Sequence, residues 1–291
     1  MAQDDGSGLI FGLLLWTVAA PTVVVAAVLW LSGRLERSAW GAYVAWAAGY
    51  LVAHGGIAGV PAWPPLTSVQ GLFYIVVLAA VVGLRSQLVG ARAASRVRGA
   101  LFEVALVVLL VWLTLRPMIQ VHWTGREAAV SLSAVLALLA GVWLATRPVD
   151  GSAALDSLVW AGGFAGTSVG LGLSSTALLA QLAALCGLLT VAVAALGGSK
   201  ARFSPPHRLW IVSLAALTAG GAYYADLGLW RAGLLFAAPA AGIVALRRLQ
   251  GRPARLRVAG ALLAVAFVQA PALASTAADF LERGSAYDYG Y

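Results

Sequence analysis

Runs of about twenty mostly apolar residues follow one another along almost the whole chain, and this constrains the fold more than any other feature. A helix needs ~20 such residues to cross the ~30 Å hydrocarbon layer of a bilayer. On that scale the sequence predicts ten spans, at about 9–32, 38–58, 69–86, 99–116, 128–146, 153–172, 175–197, 209–225, 228–246 and 258–276. The expected fold class is all-α: one transmembrane helical bundle over residues 1–291, with 277–291 as a short extracytoplasmic tail. Only Gly172, Leu173 and Ser174 separate the sixth and seventh spans, so nine spans is the competing count. The N-terminal Met-Ala-Gln-Asp-Asp lacks the basic region of a signal peptide, and the first span is expected to stay in the protein.

Composition decides the class. The chain is 61% hydrophobic and 10% charged, whereas soluble domains are roughly 45–50% apolar and ~25% charged. No single soluble core hides that excess, which excludes ordinary soluble, fibrous, disordered and disulfide-rich proteins. Cys186 is the only cysteine, so an intrachain disulfide is ruled out. Lys200 is the only lysine among 19 basic residues. With the heavy use of Ala, Leu, Val and Gly, this points to a GC-rich bacterial genome and to the cytoplasmic (inner) membrane.

The cations also choose between the two counts. With ten spans, alternate loops on one side hold 15 Lys and Arg, from Arg34 and Arg37 to the cluster Arg247–Arg257. The other side holds four: Arg116, Arg126, Arg231 and Arg283. Loops rich in Lys and Arg stay cytoplasmic, so ten spans with both termini extracytoplasmic is the expected topology. Merging spans six and seven puts the last two basic clusters outside. A net charge of +8 carried in short loops meets lipid headgroups, and no basic domain exists to hold nucleic acid.

Several residues stand out against this background. Glu103 and Asp156 are the only carboxylates within the predicted spans. Intramembrane acids mark proton or substrate sites by default, but both lie about one turn inside the cytoplasmic end, within reach of loop arginines such as Arg98 and Arg147. Structural ion pairing is the favoured expectation. No ionisable residue falls near a span midpoint, which counts against a proton-driven transporter. His54, Gln181 and Gln269 lie in the outer thirds of their spans, with His122 and Trp123 in a neighbouring loop. They are candidates for a shallow outward cavity, or for three separately satisfied side chains.

Gly162, Gly166 and Gly170 recur every fourth residue, a stripe that lets another helix approach closely. Internal packing is the plain reading, and a hinge or partner-docking face the functional one. Pro21, Pro239 and Pro271 fall inside spans and are expected to kink them. The segment 55–68 carries three prolines and Trp63, suited to a stiff piece at headgroup level or a lid. Trp30–Arg34, Trp112–Arg116 and Trp143–Arg147 repeat an aromatic and a cation four apart, an interfacial anchor. In the tail, Tyr287, Tyr289 and Tyr291 alternate with Asp288 and Gly290. An extended strand presents all three rings on one side, suited to partner contact.

The histidines have no metal-binding spacing, Gly166–Gly170 lacks the base a nucleophile turn needs, and no phosphate loop or acid cluster is present. No cofactor or metal is expected, and no catalytic residue. The favoured expectation is therefore a non-catalytic scaffold subunit of a larger membrane assembly, with lipid and other membrane subunits as partners. A permease for a neutral or amphipathic small molecule comes second, and a lipid-modifying membrane enzyme third.

Overall fold

The structure, a computed structural model, describes residues 12, 14–34, 38–65, 67–89, 105, 108–109, 111–116, 118–120, 122–146, 153–197 and 206–287. Among these the chain is helical, with no strand. Nine α-helices are numbered here in chain order. They are α1 (Ala20–Arg34), α2 (Ser38–Ala58), α3 (Ser68–Val89), α4 (Gly125–Ala145), α5 (Ala153–Leu173), α6 (Ala177–Gly197), α7 (His207–Tyr224), α8 (Leu229–Arg248) and α9 (Ala254–Tyr287). Residues 111–116 and 118–120 are also helical.

Local chemistry sets many boundaries. Before α1 the helix widens into a π-turn over Leu15–Ala19, with the Ala20 N–H donating to the Leu15 carbonyl. The next residue is Pro21, which has no N–H to give, so the wider register falls where the ordinary ladder is interrupted. At the start of α4, Thr124 and Glu127 form a reciprocal capping box that satisfies donors at the helix end. Between α5 and α6 the chain reverses within Ser174, Ser175 and Thr176. Ser175 takes φ 67°, and the Thr176 N–H donates back to the Leu171 carbonyl at 3.1 Å. A left-handed residue closed by such a bond is the usual way a helix stops sharply. This turn divides the apolar stretch 153–197 into two helices.

The helices pack mainly as sequential pairs, α1 with α2, α5 with α6 and α8 with α9, and further contacts run from α5 to α9 and from α3 to α7. Helix α7 is at the centre: 13 of its 18 residues are buried. Helix α4 is peripheral, burying only Leu139 and Val142, both in its second half. Contacts between distant residues mark the two ends of the bundle. The Tyr224 hydroxyl donates to the Thr114 carbonyl at 2.8 Å, Arg231 pairs with Asp279 and Arg283 with Asp226 at 3.3 Å. Asp156 and His207 meet at the opposite end.

Six helices are long and apolar enough to cross a membrane, counted among the described residues: Leu15–Arg34, Ser68–Arg85, Gly125–Ala145, Ala177–Gly197, Leu229–Arg248 and Ala254–Arg283. A membrane protein accounts for them. The remaining helices, α2, α5 and α7, carry buried Trp, Tyr, His, Asp and Ser. One boundary departs clearly from the sequence expectation. Helix α9 continues past the expected span end near 276 to Tyr287, so residues 277–287 of the expected tail are helical.

Candidate functional site

A cavity of about 200 Å³ lies between α4, α7 and α8. It exists because α4 meets the bundle through its second half, while facing positions farther up are small: Ala134, Ala215, Ala219, Ala222, Ala232 and Gly233 line it. Its floor is buried, formed by Leu139, Thr218 and Phe236. Its flank is open, since Val130 is 64% exposed and Leu229 60%. The wall is apolar apart from Ser131, Thr218 and Tyr223. Trp123 meets Tyr223 edge-to-face at 5.0 Å, at the end of the bundle that also holds Asp226 and Arg231.

At the other end of α7 is a buried polar cluster. His207 Nε2 lies 3.6 Å from the Asp156 carboxylate, which is 1% exposed. His207 packs edge-on to Trp210 at 5.1 Å, and Trp210 faces Trp160 at 6.0 Å. The indole N–H groups of Trp160 and Trp210 and the Ser213 hydroxyl are buried without a hydrogen-bond partner among the described residues, as are both His207 ring nitrogens. Together with Asp156 these groups make the facing ends of α5 and α7 a buried polar region. The sequence singled out Asp156 and foresaw a loop arginine beside it. His207 is the partner the structure describes, although Asp156 has further interactions as well.

A second buried line of groups runs along α2. Trp46, Tyr50 and His54 occupy one face at four-residue spacing. Trp46 donates to the Thr190 hydroxyl at 3.2 Å, the Tyr50 hydroxyl meets His54 Nδ1 at 3.0 Å, and Phe73 and Tyr74 carry the ring contacts on to exposed Trp63. The proline-rich segment is held here, since the Tyr74 hydroxyl donates to the Pro61 carbonyl at 2.7 Å.

The glycine stripe is filled from within the chain. A Cβ at Gly162 meets Leu262, one at Gly163 runs into the Pro239 ring, one at Gly166 into the Gln269 carboxamide, and one at Gly170 meets Leu235 at 2.9 Å. Gln269 lies over that gap and donates to the Gly163 carbonyl at 3.2 Å. Two features that the sequence presented separately, the stripe and Gln269, thus form one contact between α5 and α9. His54 packs on Phe73 and Tyr50, Gln181 is half-buried on α6, and neither they nor Gln269 line the cavity.

Glu103, Tyr289, Tyr291 and Arg147 lie outside the described residues, and Tyr287 is the last residue of α9. Arg34 and Arg116 sit over Trp30 and Trp112 at 4.1 and 5.1 Å, the geometry expected of the repeated aromatic–cation pair. No group of three or more His, Cys, Asp or Glu able to hold a metal is gathered among the described residues. The residues that sequence reasoning missed are the cavity's alanines and the buried Trp160, Trp210 and Ser213. Nothing in their local sequence separates them from the other alanines, tryptophans and serines of the chain. No protein-family model matches the sequence, and no curated protein or solved structure matches it.

Proposed function

We propose that the protein is a ten-span permease of a bacterial cytoplasmic membrane, with both termini outside, that admits an amphipathic small molecule sideways from the outer leaflet. The observation that carries this reading is the cavity between α4, α7 and α8, apolar within and open on its flank. The proposed orientation follows from the distribution of Lys and Arg among the loops. It puts the cavity's Tyr223 end outward and the Asp156–His207 cluster inward. One buried helix, α7, then links a lipid-side entry to a polar inner end. A lateral entry suits a ligand that already partitions into the bilayer.

The test is transport by the full chain in proteoliposomes. Decyl amphiphiles with a fluorescent tag are added outside, and the fraction shielded from an impermeant quencher is followed. The expected result is faster shielding than in protein-free vesicles for at least one headgroup class. Rates equal to protein-free vesicles for anionic, zwitterionic and neutral heads alike sink the permease reading.

A scaffold subunit is the second reading, and the length of α9 favours it. Its 34 residues extend ~50 Å at ~1.5 Å each, more than a ~30 Å hydrocarbon layer requires. Phe280 and Leu281 are 46% and 70% exposed near that end. Stoichiometric partner subunits after mild-detergent purification from native membranes support this reading, and a lone chain counts against it.

A further inference from the structure

The cavity's shape says more about its occupant than its volume does. Along α4 it runs from Val130 to Leu139, and along α7 from Tyr223 back to Ala215. At ~1.5 Å of rise per residue these paths are ~12–13 Å long. One leaflet contributes about half of the ~30 Å hydrocarbon layer, or ~15 Å. The groove is therefore nearly as deep as a leaflet and runs along the helices, as a lipid chain does. An extended chain advances ~1.2 Å per bond, so ~10 carbons fill it. A compact polar molecule finds few partners here. The Thr218 hydroxyl is already engaged by the Leu214 and Ala215 carbonyls at 2.8 and 3.1 Å.

The chain alone does not select a ligand, because lipid tails are as apolar as the groove wall. Selection falls to the headgroup. Arg126 lies one turn before Val130 on the same face of α4. Helical side chains lean toward the N-terminus, which takes its guanidinium beyond the groove's outer end, toward the headgroup level of the proposed orientation. Arg126 is exposed. The carboxylate beside it, Glu127, is held by the Thr124 N–H and hydroxyl, both at 2.9 Å. Arg126 has no carboxylate partner among the described residues.

We infer that the groove takes one hydrocarbon chain of an anionic amphiphile, with a phosphate or carboxylate head on Arg126. This rests on the permease reading and deepens it by naming the substrate class. Two sources share that chemistry, a single-chain alkyl phosphate and an anionic phospholipid.

The experiment uses the full chain in phosphatidylcholine nanodiscs. A photoreactive decyl phosphate, a decyl maltoside and a phosphatidylglycerol carry the same diazirine tail, and crosslinked peptides are mapped. Decyl phosphate should label α4, α7 and α8 about fivefold more than decyl maltoside, the effect of one cation at a membrane surface. Arg126→Gln, an exposed change, should abolish that preference. Gly233→Phe fills the groove and Val130→Trp covers its exposed mouth. Each should cut groove labelling at least about tenfold by displacing the chain, with helix content unchanged. Phosphatidylglycerol labelling equal to that of decyl phosphate makes the bilayer lipid itself an occupant, and weaker labelling points to the single-chain form; both support an anionic head.

Equal labelling by phosphate and maltoside, or an unchanged preference in Arg126→Gln, overturns the anionic head. Labelling indifferent to both groove variants overturns the groove. Anionic labelling without transport in proteoliposomes leaves the binding site standing and removes the permease. Transport of maltoside as fast as phosphate does the reverse.

Discussion

Alanine should act with opposite sign at Gly162 and Gly163, although the two are neighbours on α5. A methyl at Gly162 meets Leu262 and Val265 side chains at 3.5 and 3.7 Å, which is ordinary contact. At Gly163 it lands on the ring of Pro239, whose Cδ and Cβ lie 3.3 and 3.6 Å away and whose Cγ is closer still. A proline ring cannot rotate aside, so relief requires α5 and α8 to separate. Overpacking of this kind costs ~1–3 kcal/mol. Replacing glycine by alanine in a helix contributes ~0.5–1 kcal/mol through backbone entropy. That contribution is common to both variants and cancels in their difference. Gly162→Ala should therefore be neutral or stabilising by up to ~1 kcal/mol, and Gly163→Ala destabilising by roughly 0.5–2 kcal/mol.

The measurement is reversible unfolding in mixed micelles, followed by helical ellipticity against the mole fraction of dodecyl sulfate, with thermal midpoints alongside. At roughly 2–4 °C per kcal/mol, the two midpoints should differ by several degrees. Equal shifts in one direction refute the reasoning, because they mean that the α5–α8 contact does not depend on the absent methyl.

Two further outcomes rest on other contacts and one on the proposed topology. Tyr50→Phe removes the hydroxyl at His54 Nδ1 and leaves a buried nitrogen unpaired, a loss of ~1–3 kcal/mol in the same titration; Tyr50→Phe with His54→Phe should recover part of it, and a double variant worse than the sum contradicts this account. Asp156→Asn should lower stability modestly and leave the fold intact, whereas complete loss of transport in a folded variant assigns Asp156 a direct role in movement of substrate. A reporter fused after Tyr291 should be active outside the cytoplasm and one within residues 200–208 inside it; a cytoplasmic C-terminus removes one span from the ten.

The helices were legible because their signal is local. The run 38–58 is an α-helix with those same ends, and the break expected at Gly172–Ser174 adjoins the reversal at Ser174–Thr176 between α5 and α6. The continuation of α9 beyond the expected span was not legible from apolarity, which fades near Thr276, whereas the helix runs on to Tyr287. Ala-Ala-Asp-Phe-Leu-Glu-Arg is good helical sequence, and Asp279 and Arg283 are tied to Arg231 and Asp226. The site was less legible because its information is tertiary. Asp156 drew attention as an intramembrane acid, yet nothing near it in the chain names His207. The glycine stripe announced a close approach without saying that Pro239 and Gln269 occupy it. A groove built from alanines has no signature in one sequence, since the same alanines elsewhere simply pack.

Hydropathy itself carries tertiary information once the bundle is known. It measures transfer to lipid, and a helix ringed by other helices hardly meets lipid. Helices α2, α5 and α7 fall outside the six apolar ones, yet their 21, 21 and 18 residues extend ~27–32 Å, enough for a ~30 Å layer. They hold the buried polar side chains Tyr50, His54, Asp156, His207 and Ser213, which the surrounding helices keep away from the hydrocarbon. Buried polar side chains thus lower the hydropathy of helices that are still long enough to span, which brings the six apolar helices to nine; the remaining proposed span, 99–116, lies largely outside the described residues. The groove falls where this shielding is interrupted. Helix α4 is buried only at Leu139 and Val142, and the groove lies between its earlier residues and Ala219, Ala222 and Tyr223 of α7. There an inner helix comes close to the bilayer through a wall of small side chains, and a chain entering from that bilayer has room to replace the missing cover.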